Sequence, residues 1–177
     1  MPGILIEEHG HYGIDCKTAI WATGEVHDIY HRCGLSYLSD ADFVIETSDY
    51  FLLIEYKNSI VHEARIHAPS QREYNPEDDD KFKILVKKFY DSLHYLRLFG
   101  KNKPIHYICV LEYPKGNSTS RKVLRNRLKQ QLPFRLQDSV ETGIKLIESV
   151  NVVNIEEWNN HPKYGQFPIK PVNELVK

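Results

Sequence analysis

The chain has 177 residues, of which 41% are hydrophobic, a length that suits one domain with a buried core and is short for two. Its 23 lysines and arginines nearly balance its 24 aspartates and glutamates, which leaves a formal net charge of −1. This balance excludes the general positive field of a protein that coats DNA nonspecifically. Any affinity for nucleic acid must therefore come from a local patch.

Cysteine usage and hydropathy indicate the compartment. The three cysteines are few, odd in number and unpatterned, which argues against a secreted disulfide framework and favours a reducing compartment such as the cytoplasm. No stretch approaches the roughly 18 apolar residues that a spanning helix needs, so we expect neither a membrane span nor a signal peptide. We expect residues 1–177 to form a single cytoplasmic domain.

The first half of the chain predicts a hairpin flanked by less regular segments. Residues 4–17 contain several glycines and fit either a hairpin or a loop, and residues 24–33 predict a short helix. Two runs of β-branched and aromatic residues, 43–45 and 50–54, predict the strands of a hairpin. Residues 63–80 are polar, contain two prolines and end in an acidic run, which predicts a mobile loop or a solvated insertion.

The second half alternates helices and strands. Apolar residues at helical spacing predict a long helix over residues 81–99, ended by a glycine. A buried strand is predicted over residues 105–113 and a second helix over residues 120–132. A last strand is predicted to include residues 150–155, and the tail after Trp158 is predicted to be irregular.

The informative stretch of the sequence contains Asp42, Glu55 and Lys57. Glu55 and Lys57 are two residues apart on one predicted strand, so their side chains point to the same face. If the hairpin turns about the bond between Ser48 and Asp49, Asp42 lies opposite Glu55, with Cβ atoms roughly 4.5 to 5.5 Å apart. A two-residue or four-residue loop preserves this register, whereas a three-residue loop moves Asp42 to the other face.

Such a pair of carboxylates predicts a metal site. Two carboxylates this close repel unless a cation lies between them, and oxygen ligands suit Mg²⁺ or Mn²⁺ better than zinc. Lys57 would orient and help to deprotonate a water that attacks a phosphodiester. Two alternatives stay open: Asp40 replaces Asp42, or the charges form an exposed cross-strand pair worth less than about 1 kcal/mol.

This arrangement resembles the PD-(D/E)XK nuclease superfamily. In that superfamily an aspartate opens one strand, and a short hairpin leads to an acidic residue, any residue and a lysine. Asp42, Glu55 and Lys57 match the pattern, and Ala41 stands at the position of the variable proline. The resemblance covers residues 24–113 or so. It implies an α/β, restriction-endonuclease-like three-layer core, with a mixed β-sheet flanked by helices in the order αβββαβ.

The resemblance also implies a function and further residues. It implies a Mg²⁺- or Mn²⁺-dependent endonuclease-type hydrolase that acts on nucleic acid, with DNA favoured over RNA as the substrate, and a homodimer would allow both strands of a duplex to be cut. An additional acidic metal ligand is expected from the N-terminal helix, where Glu25 is the best-placed candidate and Glu8 the next. The predicted helix over residues 81–99 lacks the glutamine of many exonuclease-like members, which argues against an exonuclease.

The densest basic region lies around the second predicted helix and is the natural candidate for contacts to phosphates. An ordinary solvated helix face is the competing interpretation. An alternative function is a catalytically inactive domain of the same fold that binds nucleic acid or a protein partner. The basic candidates are Lys115, Arg121, Lys122, Arg125 and Arg127.

Overall fold

A computed structural model describes residues 3–60, 74–140 and 143–176 of the chain. In chain order its strands are β1 Ile4–Ile6, β2 Tyr12–Asp15, β3 Trp21–Thr23, β4 Phe43–Glu46, β5 Phe51–Asn58, β6 Ile105–Glu112, β7 Ile147–Val153 and β8 Ile169–Pro171. Its helices are α1 Val26–Arg32, α2 Asp79–Leu98, α3 Ser118–Gln131, α4 Phe134–Ser139, α5 Ile155–Asn159 and α6 Val172–Leu175.

The strands of the described residues form two sheets. The larger is mixed and has the order β3-β4-β5-β6-β7, in which the first two pairings are antiparallel and the last two are parallel. The parallel pairings are possible because α2 connects β5 to β6, while α3 and α4 connect β6 to β7. The smaller sheet is antiparallel, with the order β1-β2-β8. The protein is therefore α/β, with a mixed sheet flanked by helices, as the sequence predicted.

Both faces of the mixed sheet are buried. Successive residues of a strand point to opposite faces, so Leu53 and Ile54 belong to different parts of the core. Leu53 packs under α1, α2 and α3 in one cluster, which also contains Phe89 of α2. Ile54 packs on the other face against the smaller sheet and the C-terminal segment, including Trp158 of α5. Burial on both faces explains why the central strands are almost continuously hydrophobic.

The β4–β5 hairpin has the register that the sequence predicted. Phe43 pairs with Ile54, and the pairing continues regularly towards the turn. One residue beyond β4, the same register sets Asp42 opposite Glu55. This part of the prediction is confirmed, because a hydrophobic strand pair buried on both faces fixes its alignment strongly.

Helix α2 is docked firmly on the segment that leads into β4. The hydroxyl of Ser92 accepts a hydrogen bond from the amide of Ala41 at 2.8 Å, and the carboxylate of Asp91 accepts one from the amide of Ser39 at 2.7 Å. The Tyr30 hydroxyl of α1 donates to the carbonyl of Asp91 at 2.6 Å. These bonds fix the helix relative to the start of the hairpin.

α2 is also the longest helix, with 20 residues. Phe82, Leu85 and Phe89 form its buried side, and charged residues occupy the opposite side. Among the helices of the described segments, none combines the length and the apolarity that a membrane crossing requires.

The predicted loop over residues 63–80 is wrong at its acidic end. Asp78 precedes α2, and Asp79 and Asp80 form its first turn. Negative side chains are favoured there because the N-terminus of a helix carries partial positive charge. Residues 61–73, which make up most of the predicted loop, lie outside the described residues.

The C-terminal segment is not the irregular tail that the sequence predicted. It contains α5, β8 and α6, and it covers the second face of the mixed sheet. Trp158 and Phe167 are buried there, and the indole N–H of Trp158 donates to the carbonyl of Phe167 at 2.8 Å. Of the three prolines after Trp158, Pro162 and Pro168 lie between α5 and β8, and Pro171 is the last residue of β8.

The first strand of the mixed sheet also differs from expectation. The order αβββαβ that the resemblance implies needs one more strand beside the hairpin, and the strand that pairs with β4 is β3. It precedes α1 in the chain, whereas the expected order αβββαβ has the helix first. Residues 4–17, which fitted either a hairpin or a loop, form the β1–β2 hairpin.

Candidate functional site

A cavity of about 660 Å³ opens at the end of the β4–β5 hairpin that is remote from its turn. Five parts of the chain line it: the β1–β2 loop, α1, the segment that leads into β4, the end of β5, and α2. Asp42, Glu55 and Lys57 all line this cavity. The structure therefore brings the three residues of the predicted site to one place.

The two predicted carboxylates converge on a single ammonium group. The Nζ atom of Lys88 lies 3.0 Å from Oδ1 of Asp42, and 2.9 and 2.7 Å from the two oxygens of Glu55. The second oxygen of Asp42, Oδ2, accepts a hydrogen bond from the backbone amide of Tyr56 at 2.8 Å. Asp42 and Glu55 thus share a face of the sheet and lie within two hydrogen-bond lengths of each other.

Lys88 is the residue that the sequence argument missed. α2 contains several lysines, and the apolar stripe that predicts this helix does not by itself indicate which lysine faces the carboxylates. Lys88 follows Leu85 by three residues and precedes Ser92 by four, and both of these are buried. Residues at these spacings share one side of a helix, so the signal was present in the helical periodicity.

Burial and the neighbouring charges explain the shifted pKa values of Glu55 and Lys88. Burial and the negative charge of Asp42 together raise the pKa of Glu55 to about 8, against the opposing effect of Lys88. Although its own burial acts in the other direction, the charges of Glu55 and Asp42 raise the pKa of Lys88 above its usual range. One ammonium group therefore serves two carboxyl groups, and below about pH 8 Glu55 retains the proton that balances the second charge.

The donor set fits a divalent cation of the kind that prefers oxygen. Three carboxylate oxygens from Asp42 and Glu55 point at one position, and Mg²⁺ is commonly held by one or two carboxylates while it keeps several waters. In the described residues, no three or more His, Cys, Asp or Glu side chains come together in a way that could hold a metal. Water and substrate would have to supply the remaining ligands.

Lys57 lies on the same face of β5 as Glu55 and lines the cavity. Its side chain is half-buried, and its ammonium group lies 5.8 Å from the centre of the Tyr74 ring. This is within the range of a cation–π interaction. The position is compatible with the predicted role in orienting water, which stays a prediction.

The other acidic candidates take different positions. Glu25 is exposed just before α1 and lies outside the described lining of the cavity, whereas Glu8 of the β1–β2 loop lines it. Asp40 is buried in the cavity wall, but its carboxylate lies 3.3 Å from Nδ1 of His27. Asp42 rather than Asp40 therefore meets Glu55 at the shared cation position.

Two of the five basic candidates for phosphate contacts are engaged within the fold. Arg121 is buried, and its Nη2 atom lies 2.6 Å from the carboxylate of Glu157. Arg127 donates to the carbonyl of Glu77 at 2.6 Å and forms an ion pair with Asp79. Both arginines hold α3 against its neighbours, so they are poor candidates for binding nucleic acid.

The remaining basic candidates are more open to solvent. Lys115 and Lys122 are exposed, and Arg125 is half-buried. Their helix α3 packs on β7, two strands away from the strand that carries Glu55. Among the residues that the structure describes, the cavity lining includes no part of α3. Any contact to a phosphate backbone would therefore be made at a distance from the carboxylate pair.

No protein-family model matches the chain, and no curated protein or solved structure matches it either. The resemblance to the PD-(D/E)XK superfamily thus rests on the residues of the site and on the order of the elements. Function has to be argued from the chemistry of the cavity.

Proposed function

We propose that this protein is a Mg²⁺- or Mn²⁺-dependent nuclease that hydrolyses phosphodiester bonds of DNA or RNA, with DNA as the first substrate to test. One observation carries the proposal. The carboxylates of Asp42 and Glu55 converge on one cation position in a cavity that Lys57 also lines. These are the residue types that metal-assisted hydrolysis of a phosphodiester requires.

The architecture supports the same proposal. The elements β3, α1, β4, β5, α2 and β6 are those of the αβββαβ core of the PD-(D/E)XK superfamily, with the first two exchanged in order. The carboxylates lie at the β4–β5 hairpin, where the superfamily carries its motif. The exchange leaves that hairpin and the long helix after it in their expected places.

Each residue of the site has a chemical role in the proposal. Asp42 and Glu55 would hold the divalent cation, which, when bound, would stabilise the negative charge that develops on the phosphodiester. Lys57 would orient the attacking water through its ammonium group. The amide of Tyr56 holds one oxygen of Asp42, which fixes the orientation of that carboxylate.

Contacts to the nucleic acid outside the cavity are assigned to the basic candidates whose side chains reach solvent. Lys115 and Lys122 are exposed and Arg125 is half-buried, whereas Arg121 and Arg127 form ion pairs within the fold. Contacts of this kind position a substrate without reading its sequence. Homodimerisation would be needed for concerted cutting of two strands and stays a prediction.

A second function is favoured by one specific observation. The ammonium group of Lys88 already occupies the cation position between Asp42 and Glu55. A domain in which this lysine permanently replaced the metal would bind nucleic acid or a protein partner without cutting. The two candidates therefore differ in whether the carboxylates accept a divalent cation.

Cleavage assays test the nuclease proposal directly. Plasmid DNA, single-stranded DNA and RNA are incubated with the protein in Mg²⁺, Mn²⁺ or EDTA. We expect cleavage that depends on the metal and that falls by about 100-fold or more in Lys57→Ala, as for the loss of a group that assists proton transfer. Lys83→Ala removes an exposed lysine of α2 that pairs with Asp80 instead of Asp42 or Glu55, and this variant should cut as the unmodified protein does.

The absence of cleavage on all three substrates would reject the nuclease proposal. Thermal unfolding with and without Mn²⁺ then tests the second candidate, since a ligand that binds only the folded state raises its stability. A melting temperature that Mn²⁺ does not change would support the domain without catalysis.

A further inference from the structure

The ammonium group of Lys88 matches the carboxylate pair atom for atom. A lysine ammonium has three N–H donors, and three oxygens of Asp42 and Glu55 lie within hydrogen-bond distance of it. The fourth oxygen accepts the amide of Tyr56. All four oxygens of the pair are therefore satisfied without a metal.

The backbone that carries Lys88 is held in place. Leu85 and Phe89, on either side of it in the sequence, are buried, and the hydroxyl of Tyr107 donates to the carbonyl of Leu85 at 2.8 Å. The side chain of Lys88, in contrast, lines the cavity and has a flexible four-carbon stem. If the cation position is to be vacated, the side chain can leave while the helix stays.

An ammonium group and a divalent cation cannot share this position. They would compete for the same three oxygens of Asp42 and Glu55, and their positive charges would repel strongly at such a distance. A divalent cation has the charge to balance both carboxylates when they are ionised, whereas the ammonium group of Lys88 can balance only one of them. Exchange of one cation for the other therefore requires the ammonium group of Lys88 to leave.

We propose that Lys88 is a built-in competitor of the divalent cation, so that metal binding requires its ammonium group to leave Asp42 and Glu55. The inference rests on the metal site of the proposed nuclease and adds a form of regulation to it. In the resting protein the lysine holds the two carboxylates together. Once displaced, its ammonium group stays within the cavity, where a substrate phosphate would be bound.

The first experiment measures the affinity for Mn²⁺ by electron paramagnetic resonance of the free ion. If the side chain leaves the site in about a tenth of the molecules, its removal should tighten apparent binding about tenfold. We expect this gain in Lys88→Gln. The matched control is Lys87→Gln, because the ammonium group of Lys87 contacts Asp91 and the carbonyl of Tyr37 instead of Asp42 and Glu55. Its affinity should equal that of the unmodified protein.

A second measurement needs no variant and covers the case in which Lys88→Gln fails to fold. Reductive methylation of the unmodified protein, followed by mass spectrometry, gives the labelling rate of each lysine. Displacement from the carboxylates should raise the rate at Lys88 several-fold in saturating Mg²⁺, while the rate at Lys83 stays constant. An unchanged rate at Lys88, in a protein that binds Mg²⁺, would overturn the proposal.

The outcomes separate this inference from the nuclease proposal. If the unmodified protein binds Mn²⁺ and cuts DNA, but Lys88→Gln binds Mn²⁺ no more tightly, only the competition is wrong. If neither protein binds Mn²⁺, both the competition and the metal-dependent nuclease are wrong. Tighter binding in Lys88→Gln without any cleavage would support the competition and reject the nuclease.

Discussion

The β4–β5 hairpin carries a cluster of carboxyl groups and lysines at each of its two ends, and the two clusters differ in their ratio of ammonium to carboxyl groups. At the turn end, Glu46 meets two ammonium groups, from Lys101 at 2.5 Å and from Lys103 at 2.8 Å. Although burial acts against them, these hydrogen bonds lower the pKa of Glu46. This end has more positive than negative charge and needs no further cation.

At the cavity end the ratio is inverted, because Asp42 and Glu55 share the single ammonium group of Lys88. Burial and the neighbouring carboxylate raise the pKa of Glu55 to about 8. The same chemical groups therefore make an ionised cluster with two ammonium groups for one carboxylate at one end, and at the other end two carboxyl groups that a single ammonium group does not keep ionised together. The comparison teaches that the ratio of charges, rather than their presence, marks the candidate functional end.

The largest expected effect on stability comes from replacing one lysine at each end of the hairpin. Lys88→Met leaves two adjacent carboxylates without a cation and should lower the free energy of unfolding by about 3 kcal/mol, as for breaking a buried ion pair. Lys101→Met leaves Lys103 on Glu46 and should cost about 1 kcal/mol or less. Urea denaturation at neutral pH measures both, and equal costs would contradict the comparison.

The second expected effect is that the contributions of Glu55 and Glu46 to stability depend on pH in opposite ways. The raised pKa of Glu55, about 8, means that the folded protein binds a proton that the unfolded chain releases near pH 4.5. The contribution of Glu55 to stability is therefore complete below pH 4.5 and is lost as the pH rises through about 8. For Glu46 the pKa is lowered, so its contribution is present above its ordinary value and is lost on acidification.

Above pH 6.5, the contribution of Glu55 to the pH dependence of stability can be measured separately from that of His106. Burial lowers the pKa of His106 from 6.5 to about 4, so the stabilising contribution of its neutral form is complete above that range. Between pH 6.5 and pH 8, the free energy of unfolding of Glu55→Gln should rise relative to the unmodified protein by about 2 kcal/mol. Chemical denaturation at both pH values measures this difference. A constant difference would show that Glu55 is already ionised at pH 6.5.

The smallest effect concerns the docking of α2. Ser92→Ala removes the acceptor of the buried Ala41 amide and should cost about 1 kcal/mol. Ser48→Ala, at the turn end, removes an exposed hydrogen bond to Asp49 and should change stability by less than about 0.5 kcal/mol. Thermal unfolding distinguishes the two, and similar shifts would show that the docking contributes nothing.

Much of the hairpin could be predicted because its information is local. Two hydrophobic runs joined by a short polar turn indicate the register, and the register alone places Asp42 opposite Glu55. The same local signals located α2 to within two residues at its start. The acidic residues of its first turn fit either a loop or the start of a helix, because a run of charges does not by itself indicate where the helix begins.

The partner of the carboxylates could not be predicted in the same way. Lys88 is more than 30 residues from Glu55 in the sequence, and its contact depends on how α2 docks on the sheet. Likewise, Arg121 looked like a solvated cation until the position of Glu157 was known. Long-range ion pairs are set by tertiary packing, to which periodicity in one segment gives only a partial guide.

The hydrogen bond from the Tyr56 amide to Asp42 gives that aspartate a duty in the fold. β4 ends before it could offer a backbone carbonyl to this amide, and the side chain takes that place. An aspartate would thus be selected at position 42 whether or not the protein cuts anything. In distant relatives, retention of Asp42 would therefore say little about activity. Loss of both Glu55 and Lys57 would instead indicate a protein that keeps the fold without the proposed catalytic residues.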